Sequence, residues 1–222
     1  MKIKSALILI TSANSLLGST LAMHFARLGA NVILCDTNHS ALVTTWQHCY
    51  AISHRVHYYT LPDRSPTSIH QLFDYIETTY HSAPDVLINH WPSVSFPSLV
   101  DEQPTERFIQ QLANMASSLF TFGQTCSERM RQHQAKGVIV NLVWHNTTQQ
   151  QAGMENTNSM VAGFTQSWAR ELTPYNIRVG GVIPMAGANH HNLHWAEIQD
   201  ELIRNTEYIV TNDYFSGRVM SA

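Results

Sequence analysis

Lysine is scarce in this chain of 222 residues, which has only Lys2, Lys4 and Lys136. Lysine and arginine together number 13, scattered without a basic run, and the formal net charge is −3. That leaves no electrostatic footprint for nucleic acid and no patch for an anionic membrane surface. Charged residues are 13% against 44% hydrophobic, a balance that suits a compact chain rather than a disordered one. Cysteine is rare too. Cys35, Cys49 and Cys126 are odd in number, far apart and each set in an apolar stretch. They argue against a disulfide framework and read as buried free thiols in a reducing compartment. No stretch approaches the roughly 20 apolar residues of a membrane span. At the start, two lysines precede the apolar run Ala6–Ile10, but Thr11-Ser12-Ala13-Asn14-Ser15 follows at once. The run is short for a secretory signal and reads as a buried first strand. The expectation is a cytoplasmic protein.

What is present is alternation. Short apolar runs fall at Ser5–Ile10, Asn31–Cys35, Val56–Tyr59, Val86–Ile88, Val138–Val143 and Arg178–Ile183. Such runs, without polar alternation, are those of strands buried on both faces. Between them lie amphipathic stretches at Ser15–Leu28, His39–Tyr50, Pro66–Tyr80, Thr105–Gln132 and Asn156–Leu172. Spacings of three and four put Val161, Phe164, Trp168 and Leu172 on one helical face. Gly29 stands where a helix-ending glycine belongs. No repeat, low-complexity tract or linker intervenes, so residues 1–222 read as one domain. Strand–helix alternation with short loops predicts an α/β fold, a doubly wound parallel sheet in a three-layer α/β/α arrangement. Its ligand crevice lies at the carboxyl ends of the strands.

After the first strand, Thr11-Ser12-Ala13-Asn14-Ser15-Leu16-Leu17-Gly18 opens a helix, and the second strand ends at Asp36. The layout resembles the T-G-x-x-x-G-[hydrophobic]-G fingerprint of short-chain dehydrogenases/reductases, a Rossmann-type family. Ser12 and Leu16 stand at two glycine positions and only Gly18 remains. Glycine permits the φ > 0 turn and close backbone approach to a pyrophosphate. Ser12 is a mild change, whereas the Leu16 side chain would project toward the cofactor. The resemblance implies Thr11, Ser12, Asn14, Leu17, Gly18, Asp36 and Asn89 as the cofactor-binding positions. Asp36 could accept from a ribose hydroxyl, favouring NAD over NADP, or merely cap a strand. Leu87-Ile88-Asn89-His90-Trp91-Pro92 matches the family's N-N-A-G segment only at Asn89.

The second half resembles the family in Gly137–Leu142, in Gly163–Leu172 and in Asn176–Val179, so the likeness covers nearly the whole chain. The family's catalytic residues are a Ser, a Tyr and a Lys in Y-x-x-x-K, with a supporting Asn. Counting back from Gly163, the tyrosine position falls on Met154 and the lysine position on Asn158. The serine position falls on Val143 or Trp144, and only Asn114 is retained. No lysine follows any tyrosine at the required spacing in any register. Met154 has no exchangeable proton and Asn158 no charge to depress a pKa. Pro184-Met185 replaces the family's Pro-Gly, and Tyr214–Met220 resembles its final strand.

Of the 13 histidines, His190, His191 and His194 cluster where the family has its substrate lid, and they read as a polar loop rather than a metal site. His90 and His145 face the crevice by resemblance. They serve either as an alternative acid or base or, with Trp91 and Trp144, as filling for a cleft that holds no ligand. The expectation is a catalytically degenerate member acting as scaffold, regulatory or partner subunit, with no cofactor or weakly bound NAD(H). Its expected partners are a second copy or an active paralogue. The alternatives are an oxidoreductase with relocated residues and a non-catalytic dinucleotide sensor.

Overall fold

In a computed structural model of the chain, residues 1–92, 96–97, 99–100, 102, 104–144, 154–183 and 195–221 are described. Seven strands form one sheet in the order β3-β2-β1-β4-β5-β6-β7, parallel throughout. They are β1 (Leu7–Thr11), β2 (Asn31–Asp36), β3 (Val56–Thr60), β4 (Val86–Pro92), β5 (Gly137–Trp144), β6 (Ile177–Ile183) and β7 (Val219–Ser221). The helices are α1 (Leu16–Arg27), α2 (His39–Tyr50), α3 (Pro66–Tyr80), α4 (Pro104–Met115), α5 (Thr121–Gln132), α6 (Met154–Leu172) and α7 (Trp195–Thr211). This is the expected doubly wound α/β sheet.

The alternating faces of the central strands separate two apolar cores. Ile8 and Ile10 of β1 pack with Leu17, Leu21 and Phe25 of α1. Leu7 and Leu9 pack with Ile69, Leu72 and Phe73 of α3 on the other side. A β-strand sends successive side chains to opposite faces, so a continuous apolar run serves both layers. All three cysteines are free and buried, as expected. Burial holds the Cys35 and Cys126 thiols well above the ordinary range and lifts Cys49 to about 11. Among the described residues no helix is long and apolar enough to cross a membrane.

The sequence predicts one helix over Thr105–Gln132, and the structure divides it. A π-helical turn, Ala116–Phe120, separates α4 from α5. The buried Asn89 Nδ2 of β4 donates to the Leu119 carbonyl of this turn at 2.8 Å. That turn is held by a contact 30 residues away in sequence, which no local pattern announces.

Candidate functional site

Strand order reverses where β1 lies between β2 and β4, and in such folds the ligand crevice lies at the carboxyl edge of that switch point. β1 hands over to α1 through a tight turn. Ser12 takes a left-handed conformation, φ 50°, at a position where the family has glycine. A Cβ added at Gly18 would lie 2.4 Å from the Ser12 carbonyl oxygen, so the strand–helix packing itself demands this glycine. Ser15 caps α1, its Oγ accepting from the Gly18 N–H at 2.9 Å and donating to the Ser12 carbonyl at 2.8 Å. Leu16, the first helical residue, is 51% exposed, whereas Leu17 is buried in the core.

The polar groups at this junction are largely spent on one another. The Thr11 hydroxyl receives the His90 N–H at 2.9 Å and donates to the His90 carbonyl at 3.1 Å, joining the ends of β1 and β4. The buried Asp36 carboxylate accepts from the Thr37 N–H at 2.7 Å and the Asn14 N–H at 3.4 Å. It thereby ties the end of β2 to the turn after β1. Asn89 donates to Leu119 and stands 3.3 Å from Asn141 Oδ1, while Asn141 Nδ2 donates to Thr165 Oγ1 of α6 at 3.1 Å. A buried polar ladder therefore crosses β4, β5 and α6.

His90 itself is 4% exposed. Its Nδ1 lies 3.2 Å from Ser15 Oγ. Because that hydroxyl gives its proton to Ser12, it accepts from His90, which assigns the proton to Nδ1 and leaves a lone pair on Nε2. Nε2 is buried without a partner among the described residues. Burial above all, helped by the Arg64 charge, lowers the His90 pKa to about 4 against an opposing hydrogen bond to Ser12, so the ring is neutral at pH 7.

Among the described residues these groups border a cavity of about 10 Å³, lined by Ser12, Asp36, Arg64, His90, Ser118 and Phe122 among others. That is about the room one water needs. Arg64 and Ser118 line it together, with Nη1 of Arg64 donating to Ser118 Oγ at 3.4 Å. Sequence reasoning missed both. Arg64 lies just before α3, in a turn organised by Asp63, whose carboxylate accepts from Ser65 N–H and Ser68 Oγ at 2.9 and 2.6 Å. Those bonds hold the Asp63 pKa at about 2. A cation following a strand end was the available signal.

The positions expected to carry catalysis fall on α4, β5 and α6. Asn114 is exposed on α4. Asn158 is buried on α6 and Val143 is buried on β5. Met154 begins α6 and Trp144 ends β5 paired with Pro92, but their side chains lie outside the described residues. So do His145, His190, His191, His194 and Pro184-Met185. Trp91 is buried, its ring 6.3 Å from that of Phe96. Among the described residues no group of three or more His, Cys, Asp or Glu could hold a metal ion.

The sequence model of the short chain dehydrogenase family matches residues 6–192. The chain is 28% identical over 196 residues to sorbitol-6-phosphate 2-dehydrogenase of Klebsiella pneumoniae, covering 83% of this chain and 70% of that protein. It is 23% identical over 194 residues to the (3R)-3-hydroxyacyl-CoA dehydrogenase of Canis lupus familiaris, covering 83% of this chain and 74% of that protein. Among solved structures, a short-chain type dehydrogenase/reductase from Mycobacterium marinum superposes with a TM-score of 0.84 at 20% identity, over 99% of this chain and 94% of that one. An NAD⁺-bound xylitol dehydrogenase does so with a TM-score of 0.79 at 17% identity, over 100% and 98%. At those identities the structural likeness bears on the fold, and the sequence match carries the assignment: the chain belongs to the short chain dehydrogenase family.

Proposed function

We propose that this chain is a catalytically degenerate member of its family, one that acts as a scaffold, regulatory or partner subunit rather than by the family's hydride transfer. One observation carries the reading. The Thr11 hydroxyl, the Asp36 carboxylate and the Asn89 amide are each bonded to backbone groups, and the cavity that Thr11 and Asp36 line among the described residues is about 10 Å³. A dinucleotide that used these groups would have to replace those bonds, at a cost of about 1–3 kcal/mol for each buried group left unpaired.

The residue chemistry points the same way. Acid–base exchange with a carbonyl oxygen by a tyrosinate needs a neighbouring cation to lower its pKa. Lys2, Lys4 and Lys136 are the only lysines, and none follows a tyrosine at the family spacing. Met154 and Asn158 hold the tyrosine and lysine positions in the register set by Gly163. Thr11, Ser12, Asn14, Leu17, Gly18, Asp36 and Asn89 keep the framework of a nucleotide site in which Leu17 and Gly18 serve packing. As partners we propose a second copy of the chain or an active paralogue. Exposed Phe108, Ile109 and Leu112 on α4 supply apolar surface for such an assembly.

A second reading keeps the dinucleotide, either as the coenzyme of relocated chemistry or as the ligand of a sensor. Asp36 favours it, because its carboxylate stands at the end of β2 beside the N-terminus of α1, where a ribose and a pyrophosphate are held in such folds. The curated relatives are named as dehydrogenases. Affinity for NAD(H) separates the degenerate reading from both forms of the second, and a turnover screen separates relocated chemistry from a sensor: the purified chain, NAD⁺ or NADH and their phosphorylated forms, with panels of alcohols and carbonyls, followed at the nicotinamide absorbance. The degenerate reading expects no rate above the protein-free control. A rate that scales with protein concentration refutes it.

A further inference from the structure

The N-terminus of α1 offers amide N–H groups and the positive end of a helix dipole, a natural cradle for a phosphate. In this chain a side chain already stands at it. His90 reaches from the end of β4 to within 3.2 Å of the capping Ser15 Oγ. Its backbone N–H and carbonyl are both bonded to the Thr11 hydroxyl, and the residue is 4% exposed. His90 lines the same cavity as Ser12 and Asp36, and its Nε2 is buried without a partner among the described residues. The surroundings nonetheless suit an anion. The Arg64 guanidinium lies at the cavity wall with the neutral Ser118 hydroxyl as its hydrogen-bond partner among the described residues, and the Asp36 carboxylate is engaged by two backbone N–H groups.

We propose that the His90 imidazole is the residue that excludes nucleotides from this chain, standing as an intramolecular plug at the phosphate cradle of α1. The Leu16 side chain, which the sequence marks as the obstacle, is 51% exposed and does not line this cavity. This rests on the reading of the crevice as closed in the wild-type chain. Removing the imidazole joins its space to the existing void and uncovers the cap of α1, while the backbone bonds between Thr11 and His90 survive. The ligand class the opened cradle takes is an adenosine diphosphate, whose phosphates meet the helix N-terminus and Arg64.

The test is calorimetric titration of ADP into the wild type, His90→Ala and Leu16→Gly, each first checked for native circular dichroism. The proposal expects no heat from the wild type or Leu16→Gly at millimolar ADP, and at least about tenfold tighter binding by His90→Ala, a change of about 1.4 kcal/mol. A folded His90→Ala as silent as the wild type overturns the plug and leaves the degenerate reading standing. Binding by the wild type at micromolar ADP overturns both. Binding gained by Leu16→Gly alone assigns the exclusion to Leu16 and also overturns the plug. Should His90→Ala fail to fold, ¹⁵N imidazole shifts of the wild type decide. The plug expects a neutral ring protonated on Nδ1 and unmoved by added ADP, and a charged ring or the Nε2–H tautomer refutes it.

Discussion

Replacing Gly18 with alanine tests whether the surviving glycine of the fingerprint is kept by packing alone. The new Cβ would lie 2.4 Å from the Ser12 carbonyl oxygen, 2.9 Å from Ser15 Oγ and 3.0 Å from the Ala13 Cα. Two of those three atoms belong to backbone, so the turn must move away from the helix. Overpacking of this kind costs about 1–3 kcal/mol. Displacing the turn also weakens the bond from Gly18 N–H to Ser15 Oγ, a cap worth about 1 kcal/mol. Alanine returns up to about 1 kcal/mol through its better helix propensity. The net expectation is a loss of about 2 kcal/mol, or about 4–8 °C in Tm for a chain of this size. Urea denaturation followed by circular dichroism, without any nucleotide present, reads it directly. A change within about 0.5 kcal/mol, typical of an unconstrained surface site, would refute the packing argument.

The opposite sign is expected at Ser12, whose φ of 50° strains any side chain with a Cβ. Ser12→Gly should gain about 0.5–1 kcal/mol in the same denaturation assay, and a loss of stability would show that the serine side chain does more than occupy the turn. Asp36→Ala removes the acceptor of two backbone N–H groups and should cost about 2 kcal/mol without ligand, since bonds to charged groups run higher than neutral ones. The His90 ring supplies a pH dependence. Its folded-state pKa of about 4 lies below that of an exposed imidazole, about 6.5, so between those values the unfolded chain binds more protons. Stability is therefore full above pH 6.5 and declines toward pH 4, by up to about 3 kcal/mol from this group. A His90→Asn variant should show a shallower decline over that window, and parallel profiles would contradict the buried neutral ring.

Much of the frame was legible because it rests on local patterns. The α2 and α3 spans, His39–Tyr50 and Pro66–Tyr80, coincide with the amphipathic stretches read from sequence. The apolar runs located strands β1 to β6, and the order of elements predicted the doubly wound sheet. What escaped depended on distant partners. β4 runs on to Pro92, beyond the apolar run ending at Ile88, because Asn89–Pro92 pair with Asn141–Trp144 of β5. The π turn answers to Asn89, and α7 was not distinguished as a helix. The final strand, read at Tyr214–Met220, is shortened to Val219–Ser221, where pairing with Gly181–Ile183 is available. At the site, the fingerprint spacing located the turn, Asp36 and Asn89. It carried no information on how their polar atoms would be engaged, or that His90 would be drawn in against Ser15.

The central claim is that the wild-type crevice is closed to dinucleotides, and isothermal titration calorimetry against NAD⁺, NADH, NADP⁺ and NADPH tests it most directly. The account predicts no binding heat up to millimolar ligand. Saturable binding of any of the four at micromolar concentration would contradict it, because the bonds at Thr11, Asp36 and His90 would then be ones the ligand displaces.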